Sequence, residues 1–444
     1  MRTTETLAQF IATCDSTRIP PAVRHEAARC LVNWAACALG GAGHPAVESA
    51  LAALGPFVGA PQANLIGRGE RVDALNAALF NGISSHVLDF DDTHMATLVH
   101  PSGPVISALL ALAQYRPIDG RAFAEAIAIG IDVECRVAAA VSPQHYDQGW
   151  HITGTAGGFG AAAAAGRALN LDPQRMTHAL GIAATQAAGL REMFGSMCKS
   201  LHPGKAAQNG LGAALMAAAG FTSSTSSIEG ARGFAHVMCS EPHLAEATEG
   251  LAEHWHILDN SYKPYACGLV IHPVIDACLA LHRQEGFAVQ AVEQVQVQAH
   301  PLVLELTGKK TPGNGLEGKF SVFHSAAVAL LKGVVTANDF SDEVVRDPAV
   351  IAMRARVGVT TAAGIAEDAA EVSIRLKGGR ILKQRIEHAL GSTNCPMSDK
   401  DIEGKFRDLA EGVLSADRVA RALDMCWQVS ALADAGTIGE ALAT

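Results

Sequence analysis

The segment PPAVRHEAARCLVNWAACALGG, residues 20–41, has the ends of an α-helix and indicates the fold class. Two prolines stand at its start and two glycines at its end. Proline suits the first turn of a helix, where its missing N–H is not needed, and glycine suits the position after the last turn. Aromatic residues make up only 5% of the chain, whereas alanine and glycine are abundant. The composition therefore favours closely packed helices over a β-sandwich.

Comparable segments follow and predict a series of helices up to about residue 260. The later ones have a polar, glycine-containing start and an alanine-rich body. The helical segments comprise residues 6–14, 45–55, 71–90 and 101–115, and two alanine-rich segments that begin at Gly154 and Gly204.

Beyond residue 260 the hydrophobic period changes. VEQVQVQAH (residues 292–300) alternates apolar and polar residues, as a half-buried strand does. AEVSIRLKGGRILKQRI (residues 370–386) alternates on both sides of two glycines, which predicts a hairpin. KFSVFHSAAVALLKG (residues 319–333) lies between them and predicts a helix. This mixture of strands and helices predicts an α+β unit.

The carboxy-terminal segment returns to a helical pattern, with Ser398 as a candidate N-cap. We therefore predict a mainly α fold with an α+β part. A large all-helical domain is formed by both chain ends, residues 1–262 and 394–444, and residues 263–393 form a smaller α+β lid domain.

Composition and charge exclude several classes of protein. The 444-residue chain has a net charge of −10 and no lysine- or arginine-rich run, so we expect no nucleic-acid partner. No segment reaches the roughly 18 uncharged apolar residues of a membrane span, and the amino-terminal segment does not look like a signal peptide. The ten cysteines include no CxxC pair, which suits reduced thiols. We therefore expect a cytoplasmic protein without a membrane partner.

Histidines and lysines recur beside hydroxyl groups and glycines at four segment ends. No cofactor loop accompanies them, because the glycine-rich GTAGGFG follows no apolar strand. The four segments are DFDDTHMATLVHPSG (residues 89–103) with Asp89, Thr93 and His100; QGWHITGTAGG (residues 148–158) with His151; SMCKSLHPGKAAQNG (residues 196–210) with Lys199, His202 and Lys205; and NSYKPYACGLVIHPVID (residues 260–276) with Lys263 and Tyr265.

Each of these clusters, taken alone, has a structural explanation. Lys199 could be a surface lysine, His151 a buried structural histidine, and Asp91 and Asp92 helix caps or magnesium ligands. Together the clusters favour catalysis, because lysines bind carboxylates, histidines titrate near neutral pH and an aspartate can orient a histidine. We predict proton transfer on a small di- or tricarboxylate, without a metal or another cofactor. Asp91 and Asp92 are interpreted as structural, and His94 has no assigned role.

The same segments resemble the MmgE/PrpD family, which includes 2-methylcitrate dehydratase, cis-aconitate decarboxylase and iminodisuccinate epimerase. The resemblance implies a homodimer, a helical domain with an α+β lid, and a cofactor-independent active site between them. In chain order, the similar segments are HVLDFDDTHMATLVHPSGPV, GWHITGTAGGFGAAAAAGRALNL, KSLHPGKAAQNGLGAALMAAAGFT, SYKPYACGLVIHPVIDA, GKFSVFHSAAVALLKG and NCPMSDKDIEGKF.

The resemblance maps a family site onto residues of all four clusters. The positions that match it are Asp89, Thr93, His100, His151, Lys199 and Lys263. We take as candidate catalytic residues Asp89, His100, His151, Lys199 and His324, and as candidate substrate ligands Thr93, His202, Lys205, Lys263 and Tyr265.

Two positions depart from the decarboxylase branch of the family. Gly268 stands where that branch has a histidine, and His324 stands where it has a tyrosine. An imidazole can take and return a proton near pH 7, whereas a phenol has a pKa of about 10. His324, placed opposite a histidine of the helical domain, would supply the acid/base pair that an epimerisation needs.

We therefore expect an epimerase of iminodisuccinate-like substrates. The alternative is a lyase that dehydrates a methylcitrate-like tricarboxylate or decarboxylates an aconitate. A third interpretation is a binding protein that keeps the fold without the chemistry.

Overall fold

The computed structural model describes residues 2–444 and has the mainly helical architecture, with a small mixed sheet, that the sequence predicts. Helices form every segment up to residue 218 for which the sequence predicts one. In the amino-terminal part they are α1 (Thr3–Thr13), α2 (Pro21–Gly41), α3 (Pro45–Leu54), α4 (Ala74–His86), α5 (Ser102–Tyr115), α6 (Gly120–Ala139), α7 (Gln144–Asp147), α8 (Ile152–Ala168), α9 (Pro173–Ala184), α10 (Cys198–Ala218) and α11 (Phe234–Met238).

The remaining helices and all but three short strands belong to the second half of the chain. The helices are α12 (His272–His282), α13 (Leu302–Thr307), α14 (Gly315–Gly318), α15 (Val322–Lys332), α16 (Asp342–Arg346), α17 (Pro348–Arg354), α18 (Asp399–Ala410), α19 (Ala416–Trp427) and α20 (Thr437–Ala441). The strands are β1 (Ala63–Asn64), β2 (Arg71–Val72), β3 (Thr93–His94), β4 (Asn260–Ser261), β5 (Val292–Ala299), β6 (Val357–Thr361), β7 (Ala370–Leu376) and β8 (Ile381–Ile386).

Small residues let the amino-terminal helices approach one another closely. α8 packs against both α6 and α10. A Cβ atom added to Gly210 of α10 would lie 2.6 Å from the carbonyl oxygen of Gly158 in α8, closer than real Cβ atoms come. Glycine is therefore required where these two backbones meet. The starts of α8 and α10 also lie close together, and they carry His151 and Lys199.

The mixed sheet has the strand order β6-β5-β7-β8. β5 runs parallel to β6 and antiparallel to β7, and β7 and β8 form the predicted hairpin. Its turn contains Gly378 and Gly379, both at positive φ, a conformation that glycine adopts without strain. Buried residues of β5 and β7, such as Val295 and Ile374, pack with α12 and α15 in a core separate from that of the helical part.

The carboxy-terminal helices return to the amino-terminal part, because α18 and α19 pack against α2. The side chains of Ser398 and Asp401 form a full capping box at the start of α18, although an aspartate replaces the usual glutamate. Lys405 of α18 is buried and donates to the backbone carbonyls of Phe90 and Lys263. This arrangement supports the division at residues 262 and 393, which we retain as a proposal.

None of the helices between residues 2 and 444 combines the length and the hydropathy that a membrane-spanning helix requires.

Candidate active site

A small cavity, with a volume of about 50 Å³, lies between the helical part and the α+β part. The residues beyond 264 contribute Gly268, Leu269, Val270, Leu306, Thr307 and Phe320, none of which is ionisable. Every ionisable side chain of the lining therefore comes from residues up to 263. These are Asp89, His100, Tyr146, Lys199 and Lys263.

Asp89 joins the two lysines of the cavity. Its Oδ1 lies 2.6 Å from Nζ of Lys199 and 3.3 Å from Nζ of Lys263, and all three side chains are buried. Lys263 also donates to the carbonyl oxygen of Asp89, at 3.0 Å. Burial alone would raise the pKa of the Asp89 carboxyl, but the two ammonium groups hold that pKa well below its usual range. Asp89 is therefore a carboxylate that positions two cations.

His86 extends this network to Asp91. Its Nδ1 lies 2.7 Å from a carboxylate oxygen of Asp91, and its Nε2 lies 3.0 Å from Nζ of Lys199. An ammonium group only donates, so Nε2 accepts and Nδ1 carries the proton that the carboxylate receives. Burial is the main cause that lowers the pKa of His86 and keeps the ring neutral. The result is a continuous chain of hydrogen bonds from Asp91 through His86 and Lys199 to Asp89.

His100 is the histidine that lines the cavity. Its Nδ1 lies 2.9 Å from the carbonyl oxygen of Asp92 and 3.0 Å from Oγ1 of Thr93. A carbonyl oxygen only accepts, so Nδ1 carries the proton and Nε2 keeps a free lone pair. Burial, together with the charges of Lys263 and Lys199, holds the pKa of His100 well below its usual value. An anionic substrate would oppose the lysine charges and make Nε2 a stronger base.

His151 and His202 form a pair behind this wall. Their Nδ1 atoms lie 2.7 Å apart, and the ring of His151 lies 6.2 Å from that of His100 and 5.9 Å from that of His86. Neither His151 nor His202 lines the cavity, and Nε2 of His151 is buried without a partner among residues 2–444. Burial is the main cause that lowers the pKa of His202, to about 4. The pair therefore packs behind His100 and His86, and the described residues show no hydrogen bond from it to either ring.

The structure places His324 away from the cavity, contrary to the expectation that it faces a histidine of the helical part. Its Nε2 donates to the carbonyl oxygen of Asp339 at 2.8 Å, and its ring contacts Phe340. The reason is local. Ser321 caps the first turn of α15, and that turn directs His324 towards residues 339–340, whereas Phe320, just before the helix, lines the cavity.

Two further predicted ligands lie outside the cavity. The hydroxyl of Tyr265 donates to Asp276 at 2.7 Å, within the core of the α+β part. Lys205 is exposed on α10 and donates to Gln208. The structure thus brings Asp89, Thr93, His100, Lys199 and Lys263 together at the cavity, with His151 and His202 behind them.

Three further residues at or beside the cavity were not predicted as site residues from the sequence. His86 stands at the end of α4, three residues before Asp89, and the histidine within HVLDFDD was its signal. Lys319 lines a smaller space beside the cavity with Asp89 and Lys199, and burial lowers its pKa to about 8. Tyr146 lines the cavity, and the guanidinium of Arg191 lies 4.0 Å from its ring centre.

Three histidines could be considered as a metal site, because ring nitrogens of His86, His100 and His151 lie within 4.8 Å of one another. Both nitrogens of His86 are already engaged, with Asp91 and with Lys199. A cation at this position would have to displace the ammonium group and lie beside a second lysine. The donor set therefore suits proton transfer better than metal binding.

Two family models together match most of the chain. Residues 5–247 match the family model described as the MmgE/PrpD N-terminal domain, and residues 265–429 match the MmgE/PrpD C-terminal domain. The chain belongs to the MmgE/PrpD family. This match confirms the family that the sequence resembles.

Curated relatives of this MmgE/PrpD chain are enzymes. A cis-aconitate decarboxylase of Aspergillus terreus is 28% identical over 96% of this chain and 92% of its own length. The cis-aconitate decarboxylases of Mus musculus and Homo sapiens are 26% and 27% identical, and each covers 83% of this chain, with 78% and 79% of their own lengths. The names of these relatives describe decarboxylation and not epimerisation.

Proposed function

We propose that the chain is a cofactor-independent acid/base enzyme that moves a proton at a carbon next to a carboxylate of a small di- or tricarboxylate. One observation carries this proposal: the free Nε2 of His100 shares a cavity with the ammonium groups of Lys199 and Lys263. A proton carrier beside two carboxylate-binding cations is the arrangement that such a reaction needs.

The charge of the cavity supports an anionic substrate. Lys199 and Lys263 share the single carboxylate of Asp89, and Lys319 lies beside them. The carboxylate of Asp91, which is hydrogen-bonded to the neutral His86, offsets one further positive charge, so three cations stand against two carboxylates. The cavity therefore has a local excess of positive charge, although the chain as a whole carries −10. Di- and tricarboxylates are the small metabolites that match this excess.

The proposed step places negative charge where the lysines can stabilise it. When His100 Nε2 takes a proton from the carbon, the C–H electron pair moves into the adjacent carboxylate, and the lysines stabilise the extra charge. When a carboxylate leaves as CO₂ instead, the electron pair of the broken C–C bond remains on the carbon, and a His100 that is protonated at Nε2 gives its proton to that carbon. Both reactions use the same histidine and the same lysines.

The distribution of ionisable groups favours a lyase over an epimerase. An epimerisation needs a base and an acid on opposite faces of one carbon, whereas the α+β part contributes to the cavity lining only one ionisable residue, Lys263, which is paired with Asp89. His324, the expected second base, contacts Asp339 instead. Decarboxylation of an aconitate, the activity in the relatives' names, needs proton delivery to one face only. We therefore place the lyase first, with dehydration of a methylcitrate-like substrate as its variant.

One observation favours the epimerase of iminodisuccinate-like substrates as the second candidate. Gly268 lines the cavity at the position where the decarboxylase branch is expected to have a histidine. The cavity thus lacks one imidazole that the decarboxylase reaction would use. Tyr146 also lines the cavity, but burial raises the pKa of its hydroxyl and makes it a weaker acid. A binding protein without catalysis is the third candidate.

The experiment that tests the proposal follows purified protein by NMR in D₂O with cis-aconitate, 2-methylcitrate and iminodisuccinate in separate samples. Loss of CO₂ with one deuterium in the product supports the decarboxylase. Loss of water supports the dehydratase, and exchange of the α-hydrogen without a change of composition supports the epimerase. Binding without any of the three changes would leave only the binding protein and would contradict the proposal.

We further propose that the enzyme is a cytoplasmic homodimer, as the resemblance implies. Sedimentation velocity at micromolar concentration tests the dimer, and a species of 46.1 kDa at all concentrations would contradict it.

A further inference from the structure

A second histidine cluster lies outside the cavity, where β3 meets the turn that precedes β4. His94 is buried in β3, and His256 and Asp259 belong to a short 3₁₀ turn, residues 256–259. Nε2 of His94 lies 3.4 Å from Nδ1 of His256. These two nitrogens and a carboxylate oxygen of Asp259 all lie within 4.8 Å of one another.

A hydrogen bond to Thr97 engages one ring nitrogen of His94. Its Nδ1 lies 2.9 Å from Oγ1 of Thr97. In the tautomer that donates from Nδ1 to this hydroxyl, Nε2 keeps its lone pair. This lone pair faces His256.

The separation of the two nitrogens matches a metal better than a hydrogen bond. At 3.4 Å the contact between His94 and His256 is longer than an ordinary N–H hydrogen bond, which spans about 2.7–3.2 Å. Zinc binds histidine nitrogen at about 2.0–2.1 Å in a tetrahedral arrangement, so two of its ligands lie roughly 3.3–3.4 Å apart. The two imidazoles are therefore already at ligand spacing.

We propose that His94, His256 and Asp259 form a site for a divalent transition metal of the zinc type. Two imidazoles and one carboxylate are a common zinc ligand set that leaves a fourth position for water. Outer contacts hold the ligands: Thr97 orients His94, and Nε2 of His254 lies 3.0 Å from Oδ2 of Asp259. The site lies outside the catalytic cavity and does not depend on the proposed reaction.

A nearby positive charge does not prevent metal binding. Arg136 donates to the carbonyl oxygen of His254 at 2.7 Å, and its charge would repel a cation. Asp132 lies 2.7 Å from the guanidinium and is buried with it, so the pair is close to neutral. The same carboxylate accepts from the backbone N–H of His256 at 2.9 Å. Asp132 therefore both balances Arg136 and braces the turn that carries a metal ligand.

The position of the site gives the metal a structural role. His94 follows Thr93, which lines the cavity, and its N–H donates to the carbonyl oxygen of Val99, the residue before His100. A metal on His94 and His256 would therefore fasten the loop of Thr93 and His100 to the turn before β4. Zinc is expected to stabilise this loop without touching the substrate.

Titration of metal-stripped full-length protein with zinc chloride, followed by calorimetry, tests the proposal. We expect a site that is lost in His256→Ala and in Asp259→Asn. In His254→Ala the affinity should fall by about 10- to 100-fold, the usual effect of losing an outer contact. The matched control is His236→Ala, an exposed histidine on α11, which should bind zinc as the parent does.

Zinc should also raise the melting temperature of the parent protein, but not that of Asp259→Asn, because only the folded state presents the three ligands together. Asp259→Asn keeps both histidines and the shape of the side chain. A loss of zinc binding in this variant therefore reports the loss of a ligand and not misfolding. Zinc binding that is equal in the parent, His256→Ala and Asp259→Asn would overturn the proposal. So would the absence of any binding beyond that of exposed histidines.

Discussion

The ammonium group of Lys199 lies 2.6 Å from the carboxylate of Asp89, and both side chains are buried at the cavity. Asp89 adopts a positive φ of 51°, a conformation that aspartate tolerates better than most residues. The turn at Asp89 brings its carboxylate within reach of Lys199 and Lys263 from other parts of the chain. Asp89 thus holds two cations at the cavity.

Replacement of Lys199 by methionine should lower kcat/KM by about 10²- to 10³-fold, the usual effect of removing one group that stabilises transition-state charge. Lys199→Arg keeps the charge but changes its shape, and it should recover only part of the activity. Steady-state kinetics with the substrate found by NMR provides the measurement. Full activity of Lys199→Met would remove this lysine from the mechanism.

Two histidines form a matched test of the site. His100→Asn should lower kcat by about 10²- to 10⁴-fold, because a general base is lost, and should change KM little. His324→Asn should keep the kcat of the parent, since its ring contacts Asp339 and Phe340 outside the cavity. Melting curves of both proteins check the fold. A large loss of kcat in a stably folded His324→Asn protein would contradict the placement of the site.

Lys319 should produce a pH-dependent KM. Burial lowers its pKa to about 8, so the side chain is charged below that pH and loses its charge as the pH rises through it. We therefore expect KM for a polycarboxylate to increase above pH 8. In Lys319→Arg the increase should disappear from this range, because a guanidinium stays charged. KM measured between pH 6.5 and 9.5 decides this, and an unchanged profile in Lys319→Arg would assign the increase to another group.

Glu134 should make the stability of the fold depend on pH. Both of its carboxylate oxygens are buried without a partner within residues 2–444, and burial raises its pKa well above the usual value. Its contribution to stability is therefore fully present below the unfolded pKa of about 4.3 and is lost as the pH rises through the folded pKa.

Glu134→Gln removes this titration. The melting temperature of the variant minus that of the parent should increase as the pH is raised from 4 to 8. A difference between the two proteins that stays constant across this range would contradict the assignment.

Lys405 should be needed for stability rather than for catalysis. Its Nζ donates to Asn33 at 2.8 Å and to the carbonyl oxygens of Phe90 and Lys263 at 2.5 and 3.0 Å. Lys405→Met would leave buried acceptors unpaired and should cost about 2–4 kcal/mol of unfolding free energy. Lys400→Met on the same helix is the control, because Lys400 is exposed and should change stability by less than about 0.5 kcal/mol. Urea denaturation compares the two.

Much of the fold follows from local pattern. The proline and glycine ends of α2, the alternation of β5 and the glycine turn between β7 and β8 are properties of short segments, and the structure has each of them. The site residues of the DFDDTH and CKSLHPGK segments could be predicted from the sequence, because histidines and lysines recur there beside hydroxyl groups and glycines.

The direction in which a single side chain points could not be predicted from such local patterns. His324 was expected in the cavity, but the capped first turn of α15 aims it at Asp339. Asp91 was interpreted as structural, and its specific partner could not be predicted: it accepts a hydrogen bond from Nδ1 of His86 and so sets the tautomer of that ring. Both outcomes depend on how distant segments pack, which periodicity does not encode.

The most direct test compares deuterium transfer in the parent protein and in His100→Asn, with cis-aconitate in D₂O followed by NMR. We expect the parent to release CO₂ and to place one deuterium on carbon, and His100→Asn to do so at least about 10²-fold more slowly. Equal rates of deuterium incorporation in the two proteins would contradict the claim that His100 carries the proton.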